Sequence, residues 1–177
     1  PFSQSMSLKT EQIVGLASYK RLQKNNYIYN NPLVSGYISY IGNKLSTSIM
    51  DDDRKYTYFV VRSEQVNAFA IPGGYIGLNA GLINLTSSEA QLAGVVAHEI
   101  SHVKLRHSAE MIANMSLNNI PMWAGIIAGI FAGNAEASMA ALRLGIGQSS
   151  QMSINLIREN EIEADDYGIE IMTRSNY

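Results

Sequence analysis

The chain contains no cysteine in 177 residues. That excludes a disulfide framework and any thiolate metal site, leaving histidine and carboxylate side chains as metal ligands. An excess of one charge is also missing: 13 basic and 15 acidic residues give a formal charge of −2. Such a balance generates no field that would gather a polyanion, so nucleic acid is not expected as a partner. Long hydrophobic runs are absent too. The most apolar window, residues 120–133, is 14 residues long, whereas a membrane-spanning helix needs roughly 20. The start, Pro1-Phe2-Ser3, lacks the charged residues and apolar stretch of a leader, so a signal peptide is expected to have been removed or never present. Internal repeats and low-complexity linkers are lacking as well.

What is present suits one packed domain: 46% of residues are hydrophobic and 16% charged, in a chain long enough to bury its own core. Ile13, Leu16, Ala17 and Leu22 stand among polar residues at a helical spacing and predict a helix over residues 8–23, with Gly15 its weak position. Asn31-Pro32 is a helix-start pair, and Val34, Ile38, Ile41, Leu45 and Ile49 continue the helical period to residue 50. The acidic Asp51-Asp52-Asp53 reads as a turn. Aromatic and β-branched residues then mark strands over 56–61, 68–70 and 75–78, the last two flanking Pro72-Gly73-Gly74. Ser87-Ser88-Glu89 supplies a cap, and Leu92, Val95, Val96, Ile100 and Val103 predict a helix over 88–107. Breaks at 118–121 and 133–134 bracket an apolar segment, 122–131, as a short hairpin or excursion. Ile154, Ile157, Ile162 and Ile169 predict a last helix over 150–172, with an acidic run at 159–166. The fold class expected is α+β: mostly helical, with a small antiparallel or mixed sheet beside the histidine-bearing helix.

The chemistry is concentrated in His98-Glu99-Ile100-Ser101-His102. On a helix, residues four apart lie one turn apart on one face, so His98 and His102 can reach one tetrahedral ion while Glu99 is rotated about 100° away. This HExxH spacing is a general zinc-peptidase pattern in which the glutamate acts as general base. Two unrelated histidines on a surface helix would share the spacing. Here, however, Ala93, Gly94, Val95, Val96 and Ala97 precede the motif, which makes the helix a buried one, and buried ionisable groups require a partner. A third protein ligand is needed. The remaining histidine, His107, lies five residues past His102 and points away if the helix continues through it, some 140° off. It reads instead as a structural or capping residue near the helix end, with Arg106 available to pair with the acidic last helix. A carboxylate from the 159–166 run must therefore serve. Glu161 and Asp165 are one turn apart, a spacing that lets Glu161 bind metal while Asp165 accepts from the outer nitrogen of a ligand histidine. Glu159 and Glu163 fall on other faces. A solvated charged face would account for the acidic run by itself, but not for its combination with HExxH.

These residues resemble peptidase family M48, the gluzincin zinc peptidases. The elements that carry the resemblance are residues 67–76 (NAFAIPGGYI), Gly81-Leu82, residues 96–103 with Arg106-His107, and residues 159–168. The resemblance implies a zincin-like catalytic domain over residues 1–177, with one zinc ion per chain on His98, His102 and Glu161, Glu99 as general base and Asp165 as the orienting carboxylate. It further implies that Asn67, Ala68 and Phe69 form an edge strand that binds extended substrate by strand addition. Without several spanning helices, the chain is most similar to the soluble, periplasmic BepA-like branch. That likeness implies a place in the periplasm or cell envelope, and peripheral membrane or outer-membrane assembly contacts through the 121–131 segment. Gluzincins also place a histidine, tyrosine or arginine to stabilise the oxyanion. Tyr167, Arg143 and Arg158 are the candidates within the chain, and the expectation is a module truncated before a helical repeat domain, with that donor beyond Tyr177.

The expected function is zinc-dependent hydrolysis of peptide bonds in unfolded or extended polypeptides, in quality control of misfolded or stalled envelope and outer-membrane proteins. The alternative is a chaperone-like module that holds clients and retains a weakly active zinc site. A purely structural site has no use for a base at Glu99, which favours the enzyme.

Overall fold

The computed structural model describes residues 6–49, 54–113 and 150–177. Two helices come first. Helix α1 (Leu8–Lys24) is started by Ser7, whose hydroxyl accepts from the amide of Thr10 at 3.1 Å. Helix α2 (Pro32–Ser46) is started by Asn31, whose side-chain oxygen accepts from the amide of Leu33 at 3.0 Å. Each cap satisfies an amide that the first helical turn leaves without a partner. Helix α2 stops at Ser46, four residues short of the expected end.

Three strands follow: β1 (Thr57–Val61), β2 (Ala68–Ile71) and β3 (Tyr75–Asn79). They form one mixed sheet in the order β1-β3-β2, with β1 parallel and β2 antiparallel to β3. The β2–β3 hairpin reverses at Gly73 and Gly74, with φ of 85° and 87°, a region that side chains with a Cβ enter only at a cost. Four helices complete the described chain: α3 (Ala80–Leu85), α4 (Glu89–Lys104), α5 (His107–Ala113) and α6 (Ser150–Arg174). Helix α3 continues directly from β3 and was not legible from the periodicity, being too short to show one. Helix α4 is capped by Ser88, whose hydroxyl accepts from Gln91 at 3.2 Å.

Strand alternation separates two cores. Tyr58, Val60, Ala70, Ile76 and Leu78 face α2, α4 and α6, while Phe59, Val61, Phe69 and Ile71 face Val14 and Leu22 of α1. The sheet is thus a middle layer. Close approaches tighten it: a Cβ on Gly77 would lie 2.3 Å from the Phe69 ring, and one on Gly42 2.3 Å from the ring of Tyr58. The Tyr58 hydroxyl donates to the Gly42 carbonyl at 2.9 Å, and burial raises its pKa.

Three features of this packing position the site. Helix α4 packs against α2, α6 and β2. Small residues let α6 approach it closely: Ala164 is fully buried, and a Cβ on Gly168 would sit 3.4 Å from the backbone nitrogen of His98. Secondly, β2 is an outer strand. The amide of Asn79 donates to the carbonyl of Asn67 at 3.0 Å, and antiparallel residues alternate between those that face the partner strand and those turned away. Asn67, Phe69 and Ile71 therefore turn their backbone groups to β3, and Ala68 and Ala70 turn theirs outward. Ser108 on α5 donates to the carbonyl of Ala70 at 3.2 Å and occupies one of those outward groups.

Thirdly, the helix expected to run through His107 ends at Lys104. Arg106 adopts φ 64°, a left-handed conformation that reverses the chain, and α5 starts at the next residue. Arg106 does not pair with the last helix as expected. Its Nη2 and Nε lie 2.6 and 2.7 Å from Oε1 of Glu11 on α1, and Nη2 also donates to the carbonyl of Met6. Glu11 is almost wholly buried, so the ion pair is well shielded from water. The acidic turn at 51–53, the apolar segment at 122–131 and Arg143 lie outside the described residues. No helix among the described residues is long and apolar enough to cross a membrane.

Candidate metal centre and its cleft

One turn of α4 presents His98 and His102 side by side, and α6 brings Glu161 to face them. His98 Nε2 lies 3.0 Å from His102 Nε2 and 3.2 Å from Glu161 Oε2, and His102 Nε2 lies 3.3 Å from Glu161 Oε1. A tetrahedral zinc ion about 2.0–2.1 Å from each nitrogen or oxygen sets neighbouring donors about 3.3–3.4 Å apart. The observed separations come close to that spacing, with Glu161 turning a different oxygen to each histidine, and three side-chain ligands leave a fourth position for water or substrate. Among the described residues this is the one group of three such side chains whose ligand atoms converge in this way.

The protonation pattern points the same way. Asp165, one turn beyond Glu161, has Oδ1 2.9 Å from Nδ1 of His98. An ionised carboxylate can only accept, so Nδ1 of His98 carries a proton, and in the neutral ring that a metal binds Nε2 presents a lone pair. That lone pair faces the Glu161 carboxylate, and two acceptors at this distance repel unless a cation lies between them. Burial, helped by His98 and His107 and partly opposed by Asp165, pushes the His102 pKa down to about 4. The ring is therefore neutral near pH 7, the form that binds a metal.

Glu99 is buried, and burial pushes its carboxyl up to about 7; His98 opposes the shift and Glu161 adds to it. A divalent cation on the neighbouring ligands acts in the opposite direction. A carboxylate of this kind can take and return a proton at neutral pH.

The site opens into a cleft of about 370 Å³. His98, Glu99 and His102 form its floor, residues 67–70 of the β2 edge one wall, and Asn160 and Glu161 the other, with His107 and Ser108 at one end. The residues singled out from the sequence thus meet in one place. Phe69 contributes main chain only, because its ring is buried on the α1 side of the sheet at 5.8 Å from that of Phe59. Neither Tyr167 nor Arg158 lines the cleft, and Tyr167 packs against the core.

One expectation fails outright. His107 was expected to point away from the ligands, yet its Nδ1 is 2.9 Å from Nδ1 of His102 and its Nε2 is 3.2 Å from Oε2 of Glu163. The expectation assumed a continuous helix, and the left-handed residue at Arg106 breaks it. No glycine or proline announces that break, so no local signal would have revealed it. Glu163, Ser108 and Asn160 were likewise not anticipated as neighbours of the site.

Comparison with known proteins gives the family of the chain. The profile of Peptidase family M48 matches residues 32–177. The Beta-barrel assembly-enhancing protease of Escherichia coli O157:H7 is 32% identical over 175 residues, covering 98% of this chain and 36% of that protein. The protein of the same name from Yersinia pestis is 31% identical over the same shares of each chain. The Mitochondrial metalloendopeptidase OMA1 of Schizosaccharomyces pombe is 36% identical over 77 residues, 44% of this chain and 23% of that protein. The chain spans about a third of the length of the first two relatives, 36% in each case.

Proposed function

This chain belongs to peptidase family M48, and we propose that it is a zinc-dependent endopeptidase domain acting on unfolded or extended polypeptide. The observation that carries the reading is the donor triangle of His98, His102 and Glu161 with the buried carboxyl of Glu99 beside it, at the foot of an open strand edge. His98, His102 and Glu161 would hold the metal, with Asp165 orienting His98. Bound there, zinc supplies acidity to an attacking water and polarises the scissile carbonyl. Glu99 accepts the proton of that water and delivers it to the departing amine. The outward backbone groups of Ala68 and the amide of Ala70 pair with the main chain of the substrate as an added strand, which sets register without selecting a side-chain sequence. Asn67 and Phe69 hold that strand in the sheet.

The substrates proposed are misfolded or stalled proteins of the cell envelope, outer-membrane proteins among them, with the domain in the periplasm or envelope. Support for this comes from the relatives whose name describes enhancement of beta-barrel assembly. Substituting Glu99→Gln tests the mechanism. Zinc measured by elemental analysis should stay at one ion per chain, while cleavage of an unfolded protein such as casein falls about 10²–10⁴-fold, the usual contribution of general acid–base catalysis. Retained cleavage would remove Glu99 from the reaction. If the same variant still suppresses aggregation of an unfolded client, holding is an activity separate from cleavage.

A further inference from the structure

The ligand His102 raises a question that Asp165 answers only for His98: what decides which ring nitrogen carries the proton. Nothing in the zinc-peptidase reading requires His107 or Glu163, yet both are in hydrogen-bonding sequence with His102. His107 is almost wholly buried at the end of the cleft, where a polar ring needs its partners satisfied.

The order of donors is determined from the outer end. Glu163 is exposed on its side chain and, as a carboxylate, can only accept. The proton of neutral His107 therefore lies on Nε2 and is donated to Glu163 Oε2 across 3.2 Å. This leaves a lone pair on His107 Nδ1, so the contact of 2.9 Å to His102 Nδ1 is a hydrogen bond only if His102 donates it. With its proton on Nδ1, His102 presents the lone pair of Nε2 to the point where His98 Nε2 and Glu161 converge. The opposite assignment, with the His102 proton on Nε2, would aim an N–H at the metal position and bring two Nδ1 lone pairs together.

We propose that His107 is a positioning residue of the metal centre: anchored by Glu163, it fixes His102 in the tautomer and ring orientation that bind the ion. This rests on the zinc-centre reading above and adds a second outer chain to it. Two carboxylates of α6, Asp165 directly and Glu163 through His107, then orient the two histidines of α4. With its Nδ1 and Nε2 both engaged, His107 has no free donor to offer an oxyanion. The reversal at Arg106, held by buried Glu11, is what brings the ring to this position.

The test measures zinc affinity by competition with a chromophoric chelator, which does not depend on peptidase turnover. His107→Phe keeps a ring of similar bulk but removes the acceptor. It should weaken zinc binding about 10–100-fold, the usual effect of losing an outer-shell partner. His107→Gln, whose amide oxygen can accept from His102 Nδ1, should recover much of that loss, which a purely space-filling role would not predict. In case the phenylalanine variant does not fold, Glu163→Ala removes an exposed side chain and should still weaken zinc binding. Two-bond 1H–15N correlation spectra of the zinc-loaded wild type give an independent reading: His107 should carry its proton on Nε2 and His102 on Nδ1. Unchanged zinc affinity in a folded His107→Phe protein, or a His107 proton on Nδ1, overturns the proposal. A wild type that binds no zinc would sink the metal centre itself and this inference with it, so the two failures are distinguishable.

Discussion

Zinc should hold α6 to α4, and the size of that effect follows from where the ligands sit. Two donors come from α4 and the third, Glu161, from α6, so the unfolded chain offers no preformed site. A ligand that binds only the folded state at one hundred times its Kd stabilises by about 2.7 kcal/mol. For a chain of this size, about 2–4 °C of melting temperature accompanies each kcal/mol, so zinc should raise Tm by about 5–11 °C. Glu161→Ala separates the metal from the packing. The Glu161 side chain is 53% exposed, so the metal-free variant should melt within about 0.5 kcal/mol of metal-free wild type, as surface substitutions do. If the lost ligand weakens binding a hundredfold, the same free zinc contributes only about 0.4 kcal/mol and Tm moves by about 1–2 °C. The assay is a calorimetric melt of each protein with chelator and with buffered free zinc. Glu159→Ala, on another face of α6, should retain the full shift. A wild-type shift in Glu161→Ala, or its loss in Glu159→Ala, would refute the assignment of the third ligand.

The remaining expectations concern the frame around the site. Arg106→Ala leaves the carboxylate of Glu11 buried without its partner and should cost about 3–5 kcal/mol in a urea melt; the double variant with Glu11→Ala should be more stable than that single one, and equal stability would argue that the pair is not the cause. Gly42→Ala places a Cβ 2.3 Å from the Tyr58 ring and should cost about 1–3 kcal/mol by overpacking. Gly168→Ala meets nothing nearer than 3.4 Å and should gain up to about 1 kcal/mol of helix propensity, so a loss there would show that α6 and α4 are closer than described. Because burial raises the pKa of Tyr58 above its unfolded value of 10.0, the stability it contributes is complete below that pH and falls as pH rises through the folded value. Tyr58→Phe should flatten an alkaline stability profile, and an unaltered profile would assign the titration to another group.

How much of this was legible in the chain can be judged from particular residues. The helical period of Ile38, Ile41 and Leu45, the caps at Asn31 and Ser88, and the glycine pair at 73–74 act over a few residues, and each local element formed close to its expected place. His98, Glu99 and His102 lie within five residues of one another, so helix geometry alone places the two ligands together and the base beside them. Glu161 and Asp165 were legible for the same reason, since one turn separates them.

Long-range contacts decided the rest. The order of the sheet, and with it the exposure of the β2 edge to the cleft, depends on β1 and β2 pairing on either side of β3. The role of His107 depends on a chain reversal at Arg106, stabilised by a glutamate 95 residues earlier, and on Glu163, 56 residues later. Helical periodicity describes a residue only relative to its near neighbours, and it assigned His107 to the wrong side because it assumed an unbroken helix. The local sequence singled out the proposed ligands and base; only the meeting of α1, α4, α5 and α6 decided what packs around them, because that depends on hydrogen bonds and an ion pair between residues that are distant in the chain.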